Sequence, residues 1–181
     1  MASIAIDYLQ ATRKSKGTKI AFIYCEENPR QDQSASGLLA ELLKQLVEED
    51  PSLPKDIQNL YGKYPEASEL TKAIRSVASQ CDRVFVVIDG IDQCSDGVRE
   101  QLLDSIEDLR GESNTSFLIT SRRDPSIENL FSGYSRLDIQ SSDEDIEDYL
   151  DEQISTRLDW LKQPDFRERI RQVLVETARG M

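Results

Sequence analysis

Residues 83–94, Arg-Val-Phe-Val-Val-Ile-Asp-Gly-Ile-Asp-Gln-Cys, constrain the fold more than any other stretch of the chain. Val84 to Ile88 form an unbroken apolar run of the kind that fills a strand buried on both faces of a sheet. The run stops abruptly at Asp89, Gly90 allows a sharp turn, and Asp92 follows on the same loop. Open α/β sheets place their ligands at the carboxyl ends of their strands. Asp89 therefore has two readings. It is a carboxylate poised to hold Mg²⁺ near a phosphate, or it is the exit of a core strand through an ordinary Asp-Gly turn.

The rest of the composition narrows the chemistry. The chain has 181 residues, 38% hydrophobic and 31% charged, enough to bury a core of one domain. Its net charge of −12 repels phosphate backbones, so nucleic acid is not an expected partner. No apolar run reaches the length of a membrane span, and the start Met1-Ala2-Ser3-Ile4 lacks the pattern of a signal peptide. There is no histidine, which removes Ser-His and Cys-His nucleophile schemes and every His-ligated zinc site. Cys25, Cys81 and Cys94 share no short metal-ligand spacing and cannot all pair. They are expected to be reduced, mostly buried thiols of a cytoplasmic protein, with Cys94 a packing residue.

Periodicity predicts strands alternating with helices, and so a mostly parallel sheet flanked by helices. Ile4, Tyr8 and Leu9 mark a helix over 3–13, ended by Lys14-Ser15-Lys16-Gly17. A strand covers 19–24. Ser34 or Ser36 caps a helix with the stripe Leu38, Leu39, Leu42, Leu43, Leu46 and Val47, which Asp50-Pro51 ends. Short helical segments are expected at 54–61 and 65–80. After the strand at 83–89, a helix runs from Ser95 or Asp96 to Leu109, then a strand over 115–121, a helical turn at 125–131 and a fourth strand at 134–139. Ser142 and Asp145 form a variant capping box for an acidic helix with the stripe Ile146, Tyr149, Leu150 and Ile154. Its acids lack the spacing of a calcium loop and read as a solvated face. Trp160-Leu161 bridges to a last helix over 165–178 that carries Phe166, Ile170, Val173 and Leu174. The expected organisation is an α/β core over 1–140 and a C-terminal helical segment of the same domain over 141–181.

Three segments together resemble one family. They are Ile20-Ala21-Phe22-Ile23-Tyr24-Cys25 with Gln33 to Leu39, the Asp89-Gly90-Ile91-Asp92-Gln93 region, and Ser116-Phe117-Leu118-Ile119-Thr120-Ser121-Arg122-Arg123-Asp124-Pro125. In that order they resemble the NACHT domain of the STAND class of P-loop NTPases, in its fungal and nephrocystin-like branch. The resemblance implies a signalling switch with Asp89 in the Walker B position as Mg²⁺ ligand. It makes Asp92 a water-orienting carboxylate and Arg122 the sensor arginine that meets γ-phosphate. Arg122 and Arg123 have a second reading, as surface charges at a strand end, which could also pair with Asp89 or Asp92.

Two departures from the family pattern change the expected function. The sequence has no G-x-x-x-x-G-K-[ST], the loop whose N–H groups and Lys cradle phosphates; Gly17-Thr18-Lys19 has the wrong order. The N-terminal helix resembles the one that follows such a loop, which implies a core lacking its first strand. Gln93 stands where the family usually has Glu; it can hydrogen-bond a water but cannot take its proton. The expectation is a core that hydrolyses no nucleotide alone, needs no cofactor alone, and acts as an interaction or oligomerisation module. Mg²⁺ with ATP or GTP enters only if a P-loop is supplied. The strand order expected is 19–25, 83–89, 115–121, all parallel, with the last exposing an apolar edge suited to a dimer or to another protein domain.

Overall fold

Strand β2 (Arg83–Asp89) lies at the centre of a parallel three-stranded sheet, between β1 (Thr18–Tyr24) and β3 (Thr115–Ile119). The structure is a computed structural model that describes residues 2–13, 15, 17–27, 33–48, 57, 60, 64–111, 114–139, 142–157 and 164–178. Ile20 pairs with Phe85, Tyr24 with Asp89, Val84 with Thr115 and Ile88 with Ile119. The expected order and parallel sense are therefore those observed.

Alternation along β2 divides the core between the two faces of the sheet. Val84, Val86 and Ile88 face helices α2 (Ala35–Val47), α3 (Ala67–Ala78) and α4 (Asp96–Leu109). Leu38, Leu39, Leu42, Leu43 and Leu46 of α2, with Leu70, Ile74, Leu102 and Ile106, complete that layer. Val87 turns to the opposite face, where Ala2 and Ile6 of α1 (Ala2–Thr12) cover it beside Phe22 and Leu9. Each such buried aliphatic side chain contributes about 1.5–3 kcal/mol. The second face is less completely covered: an apolar groove of about 310 Å³ runs between Tyr8 and Leu9 of α1 and Phe85, Phe117 and Leu118 of the sheet.

Local chemistry sets the helix boundaries. Ser34 caps α2, its Oγ accepting from the Gly37 N–H at 3.0 Å. Glu66 and Glu69 form a reciprocal capping box on α3. Asn114 donates to the carbonyls of Ala78 and Cys81 at 2.7 and 2.8 Å, which ties the end of α3 to the start of β3. Asp124 caps α5 (Pro125–Leu130), accepting from the Ser126 N–H at 2.7 Å. The Asp50-Pro51 stop, the Trp160-Leu161 bridge and all but residues 57 and 60 of the 54–61 segment lie outside the described residues.

The chain divides into two compact units, Met1–Ser132 and Gly133–Met181. The second holds α6 (Asp143–Arg157) and α7 (Pro164–Ala178). Ser142 and Asp145 make the anticipated box, Asp145 N–H donating to Ser142 Oγ at 3.1 Å and Ser142 N–H to Asp145 Oδ2 at 3.0 Å. Arg171 of α7 donates to Glu147 of α6 at 2.5 Å. On these helices Ile154 and Val175 are buried, whereas Tyr149, Phe166, Val173 and Leu174 are exposed.

One expected element is corrected. Residues 134–139 do not form a strand, and the sheet has three strands among the described residues. Arg136 donates through Nε and Nη2 to Asp138 Oδ1 at 2.9 and 2.7 Å, and Leu137 and Ile139 face solvent. A segment whose charges pair with each other and whose apolar side chains find no layer gains little from joining a sheet.

Candidate functional site

The carboxyl edge of the sheet gathers Asp89, Asp92, Gln93 and Arg122, because β2 and β3 end side by side. Gly90 makes this possible. Its φ of 73° is left-handed, and it turns the chain straight into a 3₁₀ turn over Ile91–Gln93. A Cβ on Gly90 would lie 3.5 Å from the Cys25 carbonyl and from the Gln93 amide, so the turn folds close against the end of β1.

Thr120 organises the junction, and it was not among the residues that the sequence singled out for the site. Its N–H donates to the Ile88 carbonyl at 2.9 Å and its own carbonyl accepts from Ile91 N–H at 3.1 Å. Its hydroxyl donates to Asp89 Oδ1 at 2.5 Å and accepts from the Gly90 N–H at 2.9 Å. The available signal was the register: a hydroxyl one step past β3 falls level with an acid at the end of β2 once the two strands are parallel neighbours.

Asp92 is met from the other side by Arg122. The Arg122 N–H donates to Oδ1 at 3.0 Å and its Nε to Oδ2 at 2.6 Å, so both carboxylate oxygens are engaged by one residue. Burial by itself would push the Asp92 carboxyl up. The side-chain and backbone hydrogen bonds from Arg122, with its charge, outweigh burial and hold the carboxyl below its usual value. Arg122 is in turn pushed up by the same hydrogen bond and charge. Arg122 thus pairs with Asp92. The Gln93 side chain lies against Gly90.

A second pair sits at the same edge. Cys25 directly follows β1 and donates its N–H to the Asp89 carbonyl at 2.9 Å, while Cys94 closes the 3₁₀ turn through its N–H to Ile91. Both are free, buried thiols. The Cys25 thiol is pushed well up, first by the Cys94 thiol and by burial, then by Asp89 and Asp92. The Cys94 thiol is held down, chiefly by Cys25.

The two outer edges of the sheet differ. In a parallel ladder alternate residues turn their N–H and C=O to opposite sides. Cys25 N–H bonds to β2, so Phe22, Tyr24 and Glu26 point outward from β1. Two glutamines meet them. Gln45 of α2 accepts from Phe22 N–H and donates to Phe22 C=O, both at 2.9 Å. Gln33 accepts from Glu26 N–H at 3.0 Å and donates to Tyr24 C=O at 3.1 Å. These amides stand in for a neighbouring strand. On the far side, Thr120 bonds to β2, so Thr115, Phe117 and Ile119 point outward from β3, and among the described residues no such clamp meets them.

Asp89 shares Oδ1 with Thr120, Asp92 is taken up by Arg122, and no group of three or more acids or thiols suited to a metal assembles among the described residues. No described helix is long and apolar enough to cross a membrane.

Fold and edge geometry thus define an α/β protein with a parallel sheet and a hydrogen-bonded cluster at its carboxyl edge. The chain belongs to the nephrocystin 3, N-terminal family, whose model matches residues 1–122. Among solved structures it is similar to PCH-2 of C. elegans at 16% identity and a TM-score of 0.34, covering 85% of this chain and 45% of that one. The chain thus spans less than half the length of that structural neighbour. No curated protein matches the chain.

Proposed function

We propose that the chain is a NACHT-type module of the STAND class that works in the cytoplasm by self-association rather than by nucleotide turnover. The observation that carries this reading is the contrast between the sheet edges. Side-chain amides close β1, whereas β3 leaves outward groups on Thr115, Phe117 and Ile119. Exposed strand edges are templates for pairing.

A second copy suits that edge. The outward residues are spaced symmetrically about Phe117, so antiparallel β3 strands related by a two-fold axis would set Phe117 opposite Phe117 and Thr115 opposite Ile119. Each such facing pair exchanges both backbone bonds. Residues 115–119 carry no charge, although the chain's net charge is −12, so like-charge repulsion is smallest along this strip. The nucleotide half of the proposal rests on Asp92 and Arg122, which satisfy each other instead of facing Mg²⁺ or phosphate.

Light scattering across a concentration series tests the association. The expected result is a dimer that Leu118→Lys converts to monomer, since Leu118 is 42% exposed beside the edge and its loss leaves the core intact. A monomer at high micromolar concentration overturns it. Calorimetry with Mg²⁺ and ATP or GTP should give no binding heat. Micromolar affinity lost in Asp89→Ala would replace the proposal with a nucleotide-binding switch.

A further inference from the structure

The apolar groove on the α1 face of the sheet has no part in the edge pairing argued above, and one end of it carries a charge. Alternation along β2 turns Arg83, Phe85 and Val87 to this face, and the register sets Ser116 beside Phe85 and Leu118 beside Val87. Tyr8 and Leu9 of α1 form the wall, and no carboxylate lines the groove among the described residues. Arg83 stands at its amino-terminal end. The guanidinium lies 5.5 Å from the Phe85 ring centroid, and Nη2 donates to Ser116 Oγ at 3.1 Å. We propose that this groove binds a single-chain amphiphilic carboxylate of the fatty-acid class, with the tail along Phe85, Val87 and Leu118 and the head on Arg83.

The charge at Arg83 selects the head group. Acids outnumber Lys and Arg by 34 to 22 in this chain, yet among the described residues Arg83 pairs with none of them. A guanidinium has five N–H donors in a fixed fork, and the Ser116 bond uses one. The remaining donors suit a carboxylate, which accepts two parallel N–H bonds. Stacking on Phe85 holds the fork at the groove's end. Asp82, the acid next to it in sequence, is engaged elsewhere, by the Ser15 hydroxyl at 3.0 Å.

The size of the groove selects the tail. At about 30 Å³ for each non-hydrogen atom, as in liquid water, its volume of about 310 Å³ holds about ten atoms. The strand steps from Arg83 to Val87 span about 13 Å. Spread over that length, the volume leaves a cross-section of about 24 Å², enough for one chain and well short of a helix about 10 Å across. An extended peptide fits no better. Strand β2, under the groove, spends its backbone groups on β1 and β3, so a peptide laid there would leave its own groups without partners. An acyl tail has no such groups to satisfy. A fully buried methylene raises affinity about fourfold, and one half-buried in an open groove about twofold.

The test titrates the isotope-labelled whole chain with decanoate, below its micelle concentration, and follows binding by calorimetry and by NMR. The expected result is saturable binding at one site, with resonances of Ala5, Tyr8, Phe85 and Leu118 shifting together. Decanol, the same tail without the charge, should bind at least about tenfold more weakly. Octanoate, shorter by two methylenes, should bind about fourfold more weakly. Arg83→Gln should lower the affinity for decanoate about tenfold and leave that for decanol unchanged. Ala5→Phe, which fills the groove from α1, should abolish both. The comparison of decanoate with decanol on the unsubstituted chain decides the matter even if a variant fails to fold. Equal binding of the two, undiminished decanoate affinity in Arg83→Gln, shifts confined to other residues, or no binding would overturn the proposal. So would groove shifts that appear on raising the protein concentration alone and that decanoate does not reverse, because a second copy would then hold the groove.

Discussion

Gln45→Ala tests the idea that a side-chain amide closes the β1 edge. Gln45 makes two bonds to Phe22, each 2.9 Å long and partly buried, and uses its second amide hydrogen on Glu41 at 3.1 Å. A hydrogen bond of this kind contributes about 0.5–1.5 kcal/mol net, so losing the Phe22 pair costs about 1–3 kcal/mol. Alanine is the stronger helix former, which offsets a few tenths of a kcal/mol at most. In a chain of this size about 2–4 °C of melting temperature accompanies each kcal/mol. Thermal unfolding followed by circular dichroism should therefore show a fall of about 2–10 °C. Gln45→Glu keeps the acceptor, loses both donors and sets a carboxylate beside Glu41, so its loss should be at least as large. Opening the edge should also raise the scattering mass of Gln45→Ala above that of the unsubstituted chain at equal concentration. A variant as stable as the parent and no more associated would refute the reasoning, and the contrast between the two edges would lose its meaning.

Asp92→Asn reports on the clamp between the β2 and β3 loops. The folded carboxyl lies below its unfolded value of about 3.9, so its contribution is present above that pH and is lost as pH falls through the folded value. Asp124 and Asp145 are shifted the same way by Ser126 and Ser142, so the variant should keep part of the acid slope. Urea midpoints between about pH 6 and pH 2.5 should be flatter in Asp92→Asn, and an unchanged slope would discount the Arg122 pair. Gly90→Ala should cost about 1–2 kcal/mol in denaturant unfolding through its left-handed φ of 73° alone, because a Cβ there meets only ordinary contacts. A neutral result would mean that the turn relaxes to a right-handed path.

The centre of this fold was legible because a strand buried on both faces leaves no choice of residue. Val84 to Ile88 could be little else, and the neighbouring strands and helices followed from alternating period and caps. The 134–139 segment misled because its Leu137-Asp138-Ile139 alternation is that of a strand, while Arg136 and Asp138 pair locally and Leu137 and Ile139 stay exposed. At the carboxyl edge, the family resemblance pointed to Asp89, Asp92 and Arg122, but which acid meets the arginine depends on register. Thr120 escaped for the same reason: its role follows from the residue opposite, not from its own neighbours in sequence.

Gln33 and Gln45 escaped for a further reason, which bears on how the sheet could associate. Backbone groups alternate sides along a strand, so once Cys25 bonds to Asp89 the outward set on β1 is fixed as Phe22, Tyr24 and Glu26. A glutamine amide sets a donor beside an acceptor with the spacing of a peptide group, so one such residue can satisfy a strand residue completely. Gln45 does so for Phe22, while Gln33 bridges Tyr24 and Glu26. In sequence, both are polar residues beside an apolar stripe and read as solvent-facing. Their position on the sheet edge makes β1 a poor template for a further strand. The proposed strand addition is therefore expected at the opposite edge, where the outward groups of Thr115, Phe117 and Ile119 form a short, uncharged and symmetric row. Association of Gln45→Ala should then tolerate Leu118→Lys, because its new contact is through β1, whereas association of the unsubstituted chain should not. A double variant that is fully monomeric would place all association on β3.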